Sequence, residues 1–167
     1  MRKCLQFVFC LEIIVFFAGN AAKCQTIVHE NLPVIQFGAG IYDIRRSNAT
    51  SELQIEVFFP TKLSFIRPMA SVMASGKRDM FASIGTGIPI RLSNTFVFLP
   101  SLCGGIYQHG SGTELGYAME FRSNLEITYE LTNHSYIGIG VYHFSNGSLS
   151  KTNPGLESLL LSYSFLP

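Results

Sequence analysis

The chain has no tryptophan, and charged residues occupy only 14% of its 167 positions. A formal net charge of +1 leaves no basic footprint, so nucleic acid is not an expected partner. Two of the four cysteines, Cys4 and Cys10, fall in the first apolar stretch. Only Cys24 and Cys103 then remain to pair in an oxidising compartment. No Cys/His spacing resembles a zinc site. Past the N-terminus, no apolar run approaches the ~20 residues that a membrane-spanning helix needs. The one long apolar run, 4–18, follows Arg2 and Lys3 and precedes Gly19, Ala21 and Ala22. That order of charged start, apolar centre and small residues predicts a signal peptide over 1–22 and export of a single domain over 23–167.

What remains is apolar and aromatic: 47% of the chain is hydrophobic, with 14 phenylalanines and seven tyrosines. Strand-length runs are separated by Gly, Pro and Asn punctuation. They fall near 34–45, 51–60, 64–75, 79–92, 95–108, 115–131, 133–145 and 156–166. Alternation within them is clear. Leu53, Ile55, Val57 and Phe59 oppose Gln54, Glu56 and Phe58, while Phe121, Leu125, Ile127 and Tyr129 oppose Glu120, Arg122, Asn124 and Glu126. A soluble sandwich or lipocalin-like barrel would turn the apolar face inward. A small outer-membrane barrel would turn it to lipid and fill a narrow lumen with polar residues and glycines. Glycines at alternate positions (Gly38 and Gly40, Gly85 and Gly87, Gly138 and Gly140) suit a crowded interior and waste surface on a soluble exterior. With the export segment, they favour an all-β, eight-stranded antiparallel up-and-down outer-membrane β-barrel. Glu120, Arg122, Glu126 and Glu130 then read as a lumen network that compensates its own charge. Arg67-Pro68 is irregular for a membrane strand, where Pro belongs at a bulge or an end.

The last two runs carry a constellation of chemistry. His143-Phe144-Ser145-Asn146 ends one, and Asn153-Pro154-Gly155-Leu156-Glu157 opens the next. Residues two apart share a strand face. His143 and Ser145 therefore continue the stripe of Ile137, Ile139 and Val141, and Glu157 continues that of Leu159, Leu161 and Tyr163. Imidazole, hydroxyl and carboxylate are the base, nucleophile and orienting group of an activated-serine hydrolase. On the outer wall of a barrel, at the level of the outer leaflet, such a site needs a substrate already in that leaflet. Lipopolysaccharide, with its ester-linked acyl chains, meets that requirement.

The His-Phe-Ser-Asn segment, short loop and Asn-Pro-Gly-Leu-Glu segment on a final hairpin resemble the lipid A 3-O-deacylases (the PagL family). Phe37-Gly-Ala-Gly40 with Tyr42-Asp43 is similar to that family's opening segment. The resemblance implies Ser145 as nucleophile, His143 as general base and Glu157 as the group that orients the imidazole. It places Asn146 in the oxyanion region, with Asn153 and Phe121 supporting the site. It implies ester cleavage at the 3-position of lipid A in the outer membrane, with no metal or cofactor. Whether one barrel or a homodimer is the working unit stays open. The alternative function is a non-catalytic small barrel, structural or adhesive, that keeps the motif as turn and rim residues.

Overall fold

The computed structural model describes residues 32–63, 65–132 and 134–167. The expected leader at 1–22 and Cys24 lie outside these. Cys103 is a buried free thiol.

Nine strand segments follow one another: β1 (Val34–Tyr42), β2 (Thr50–Phe58), β3 (Arg67–Ser75), β4 (Met80–Gly87), β5 (Ile90–Arg91), β6 (Phe96–Gln108), β7 (Met119–Thr132), β8 (Ser135–Ser145) and β9 (Leu156–Phe165). Both β4 and β5 pair with β6, so they are one wall strand in two pieces. The barrel thus has eight antiparallel strands, each beside its neighbour in sequence. The strand expected over 79–92 is broken at Ile88-Pro89. Proline has no N–H for the ladder, and Ile88 N–H is instead accepted by the carbonyl of Pro100 at 2.9 Å. Pro68 sits second in β3, at a strand end, as its chemistry requires.

Closure comes from β1 and β9, whose register runs from Ile35 opposite Phe165 to Ile41 opposite Leu159. The aliphatic faces point out: Leu53, Ile55, Ile84, Leu125, Ile127, Ile139 and Leu161 are all exposed. The opposite faces are buried in the lumen, which settles the polarity of the alternation in favour of the membrane barrel. Phe37, Phe96, Tyr129 and Tyr163 form exposed aromatic surface toward the end holding the short turns, and Phe96 packs edge-on to Tyr129.

The lumen is layered rather than polar throughout. At the end holding the longer loops, Tyr42, Phe81, Tyr107, Tyr142, Phe144 and Leu156 form an apolar plug with Leu115. Leu115 was expected to start a strand. It instead folds inward from the 109–118 loop, and β7 begins at Met119. Below the plug lies a polar layer. Arg122 pairs with Glu56, donates to Gln54 Oε1 at 2.7 Å, and lies near the rings of Phe81, Tyr142 and Phe144. Glu126 accepts from Gln36, Tyr142 and Ser162. Gly138 makes this layer possible, since a Cβ there would sit 2.5 Å from Glu126 Oε1 and 2.6 Å from Ser162 Oγ.

The expected charge compensation within β7 is therefore incomplete. Arg122 finds its acid on β2, Glu130 pairs with Arg91 near the turn end, and the buried Glu120 carboxylate has no hydrogen-bond partner among the described residues.

Removing one member of a buried ion pair strands the other. Arg122→Met should cost about 3–5 kcal/mol, read as a lower urea midpoint in detergent micelles. Adding Glu56→Gln should restore part of that loss.

Candidate active site on the outer wall

The site is built on the β8–β9 hairpin and the 146–155 loop that joins it. His143 and Glu157 are direct register partners across the two strands. Their side chains meet on the outer face, with His143 Nδ1 3.4 Å from Glu157 Oε1. The imidazole is 48% exposed and the carboxylate 22%. Ser145 is two residues beyond His143 on the same face, at the last position of β8. The three groups singled out from the sequence thus share one patch of the outer wall.

Asn153 reaches back from the loop to the hydroxyl. Its Nδ2 lies 3.0 Å and its Oδ1 3.3 Å from Ser145 Oγ. Gly147 N–H also donates to Ser145 Oγ, at 3.2 Å. Among the described residues, Ser145 is therefore hydrogen-bonded to Asn153 and Gly147 rather than to His143. A Ser145–His143 hydrogen bond would need the hydroxyl to turn toward the ring; such bonds often tighten only when a substrate binds.

Asn146 does something different from Asn153. Its backbone N–H is taken by Asn153 Oδ1 at 3.2 Å. Its side chain is fully buried and donates to the carbonyls of Leu115 at 3.0 Å and Thr152 at 2.8 Å. It also accepts from Ser148 N–H at 3.0 Å. Asn146 thus pins the 146–155 loop to the plug loop.

Phe121 is the register partner of Ser145 on β7. Its ring lies over Gly104 and Gly147, where an added Cβ would come within 3.3 Å. Gly155 adopts φ +60°, a left-handed conformation that glycine accepts without strain. A Cβ at Gly155 would meet His143 Cε1 at 3.2 Å, so this glycine also makes room for the imidazole.

Two participants were not anticipated. Gly147 contributes through its backbone, which leaves no side-chain signature. Arg45 comes from the far side of the sequence, and its Nη1 lies 3.0 Å from Glu157 Oε1. The run expected over 34–45 stops at Tyr42 because Asp43 turns to φ 57°. Ile44 N–H then bonds the Glu157 carbonyl at 2.9 Å, which brings the next side chain to the carboxylate.

Asn146→Ala removes three side-chain hydrogen bonds, each worth about 1 kcal/mol net. The 146–155 loop should become cleavable by protease while the barrel still migrates as folded on unheated gels.

A family model for lipid A 3-O-deacylase (PagL) matches residues 39–165. No curated protein matches the chain in sequence. Among solved structures, the crystal structure of the outer membrane enzyme PagL superposes with a TM-score of 0.60 at 11% identity, covering 79% of this chain and 98% of that one. Neisserial surface protein A gives 0.56 at 11% identity, covering 81% and 96%. A de novo designed transmembrane β-barrel gives 0.55 at 9%, covering 82% and 96%. At these identities the structures share the fold, and the family rests on the sequence model. The chain belongs to the lipid A 3-O-deacylase (PagL) family of outer-membrane β-barrel ester hydrolases.

Proposed function

We propose that this protein removes the ester-linked 3-hydroxyacyl chain at the 3-position of lipid A through Ser145, His143 and Glu157. The observation that carries the reading is the contact of His143 with Glu157 on the outer wall, with Ser145 two residues on along the same strand face, at the loop end of the barrel. Lipid A presents its ester bonds just beneath the headgroup, so a lipid-facing site reaches them without drawing the substrate from the membrane. We place that end of the barrel at the outer leaflet.

In this mechanism the Ser145 hydroxyl leaves Asn153 Oδ1, gives its proton to His143 Nε2 and attacks the ester carbonyl. Glu157 holds the Nδ1–H side of the ring and stabilises the imidazolium. Negative charge develops on the carbonyl oxygen beside Ser145 Oγ. Asn153 Nδ2 and Gly147 N–H, already within hydrogen-bond distance of Oγ, are the donors placed to receive it. Asn146 keeps the loop in place, and Phe121 and Gly155 fix the space around the hydroxyl and the ring. The tetrahedral adduct collapses with the alkoxide leaving group taking the proton from His143. Water, deprotonated by the same imidazole, then hydrolyses the acyl-enzyme. No step needs a metal or cofactor.

Mass spectrometry of lipid A after incubation with purified protein in detergent tests this reading. Wild type should release one hydroxyacyl mass. Ser145→Ala and His143→Ala should each lower the rate by at least about a thousandfold, and Asn153→Ala by about a hundredfold or more. All three variants should assemble as barrels. Turnover near wild type in Ser145→Ala would overturn the mechanism, and no acyl loss from any lipid A would leave a structural barrel.

A further inference from the structure

We propose that Arg45 is the anion receptor of this site, binding a phosphate on the headgroup of the glycolipid whose ester is cleaved. The inference rests on the esterase reading above and adds a recognition element to it.

Arg45 is the cation beside the reacting groups, and its side chain is 72% exposed. It sits on the first loop at the outer wall, held there by the Ile44–Glu157 backbone bond. Its neighbour Arg46 is already committed, donating to Asp43 Oδ1 and to the carbonyl of Pro154, both at 3.0 Å. Arg46 therefore shapes the loop, while Arg45 faces outward. The surrounding charge is favourable to an anion. Asp43 and Asp79 at this end are buried and hydrogen-bonded, whereas Arg78 and Lys151 are exposed, with Glu114 as an exposed acid.

The partner that Arg45 now holds is informative. Its Nη1 and His143 Nδ1 approach the same oxygen, Oε1 of Glu157, at 3.0 and 3.4 Å. One carboxylate oxygen is thus divided between a guanidinium and the ring it is meant to orient. An exposed Arg–carboxylate pair is weak, and a guanidinium binds phosphate in a two-pronged, charge-assisted geometry. A phosphate arriving with the lipid is therefore a competent replacement partner. When Arg45 turns to it, Oε1 is left to His143 alone. Binding of the correct headgroup and orientation of the base become one event, with no bond made or broken.

The test compares one acylated glucosamine glycolipid with and without its phosphate, in mixed detergent micelles. Wild type should prefer the phosphorylated form in kcat/KM. Arg45→Ala should shrink that preference by about tenfold, chiefly through KM. Arg45→Lys, which keeps the charge but loses the fork, should retain part of it. Equal losses on both substrates would overturn the proposal and make Arg45 only a support for Glu157. No preference in wild type, or an unchanged preference in Arg45→Ala, would also overturn it. Ser145→Ala, run in parallel, judges the esterase reading independently: near-wild-type hydrolysis there would sink that reading whatever Arg45 does.

Discussion

Every backbone N–H and C=O in a hydrocarbon layer must find its partner within the protein, and this requirement governs the whole molecule. A sheet can meet it only by having no edge. Here the last seam joins β1 to β9, so the first and last strands of the barrel depend on each other. That seam also decides where chemistry can occur. The β1–β9 pairing continues one step past the strand, from Ile44 to Glu157, and so carries the first loop to the final hairpin. The site includes residues from both ends of the sequence because the cylinder had to close there.

Closure divides the work between two surfaces. The inner one is packed at the loop end and in the middle. An aromatic plug with Leu115 fills the loop end, and the Arg122–Glu56 layer fills the middle. The plug and the polar layer beneath it close the lumen at the loop end, and the polar side chains tie strands across the barrel to one another. The outer one holds the exposed imidazole and the half-buried hydroxyl and carboxylate in line with aliphatic stripes. The two surfaces are joined by Asn146, which is buried against the plug loop yet adjoins Ser145 in sequence. Loop order at Ser145 thus derives from the packed lumen.

How much of this could be read from the residues depends on period two. Alternation located the wall strands and their faces, because each strand contributes one lipid-facing and one lumen-facing row. The same alternation put His143, Ser145 and Glu157 on one face. Properties set by contact between distant segments were less visible. Arg122 finds its acid on β2, since neighbours across a barrel are not neighbours in sequence. Leu115 looks like the start of a strand, and only the mouth that needs filling explains its inward fold. The break at Ile88-Pro89 had a local signal in Pro89, but the apolar run around it masked the interruption. Arg45 read as a strand end until Asp43 turned the chain. Gly147 acts through its N–H, which no side-chain pattern announces.

The outward site proposed above would have a kinetic consequence. A cleft open to water samples its substrate from three dimensions, at a molar concentration. A patch on a lipid-facing wall samples a sheet of neighbouring lipids, and its effective concentration is the fraction of them that carry the right headgroup. Substrate is never dilute there, and encounter is set by lateral diffusion and by competition from other lipids at the same wall. Product remains in that layer after cleavage and competes for the same patch. Turnover by such a protein follows the makeup of the leaflet around it more than the total amount of lipid present.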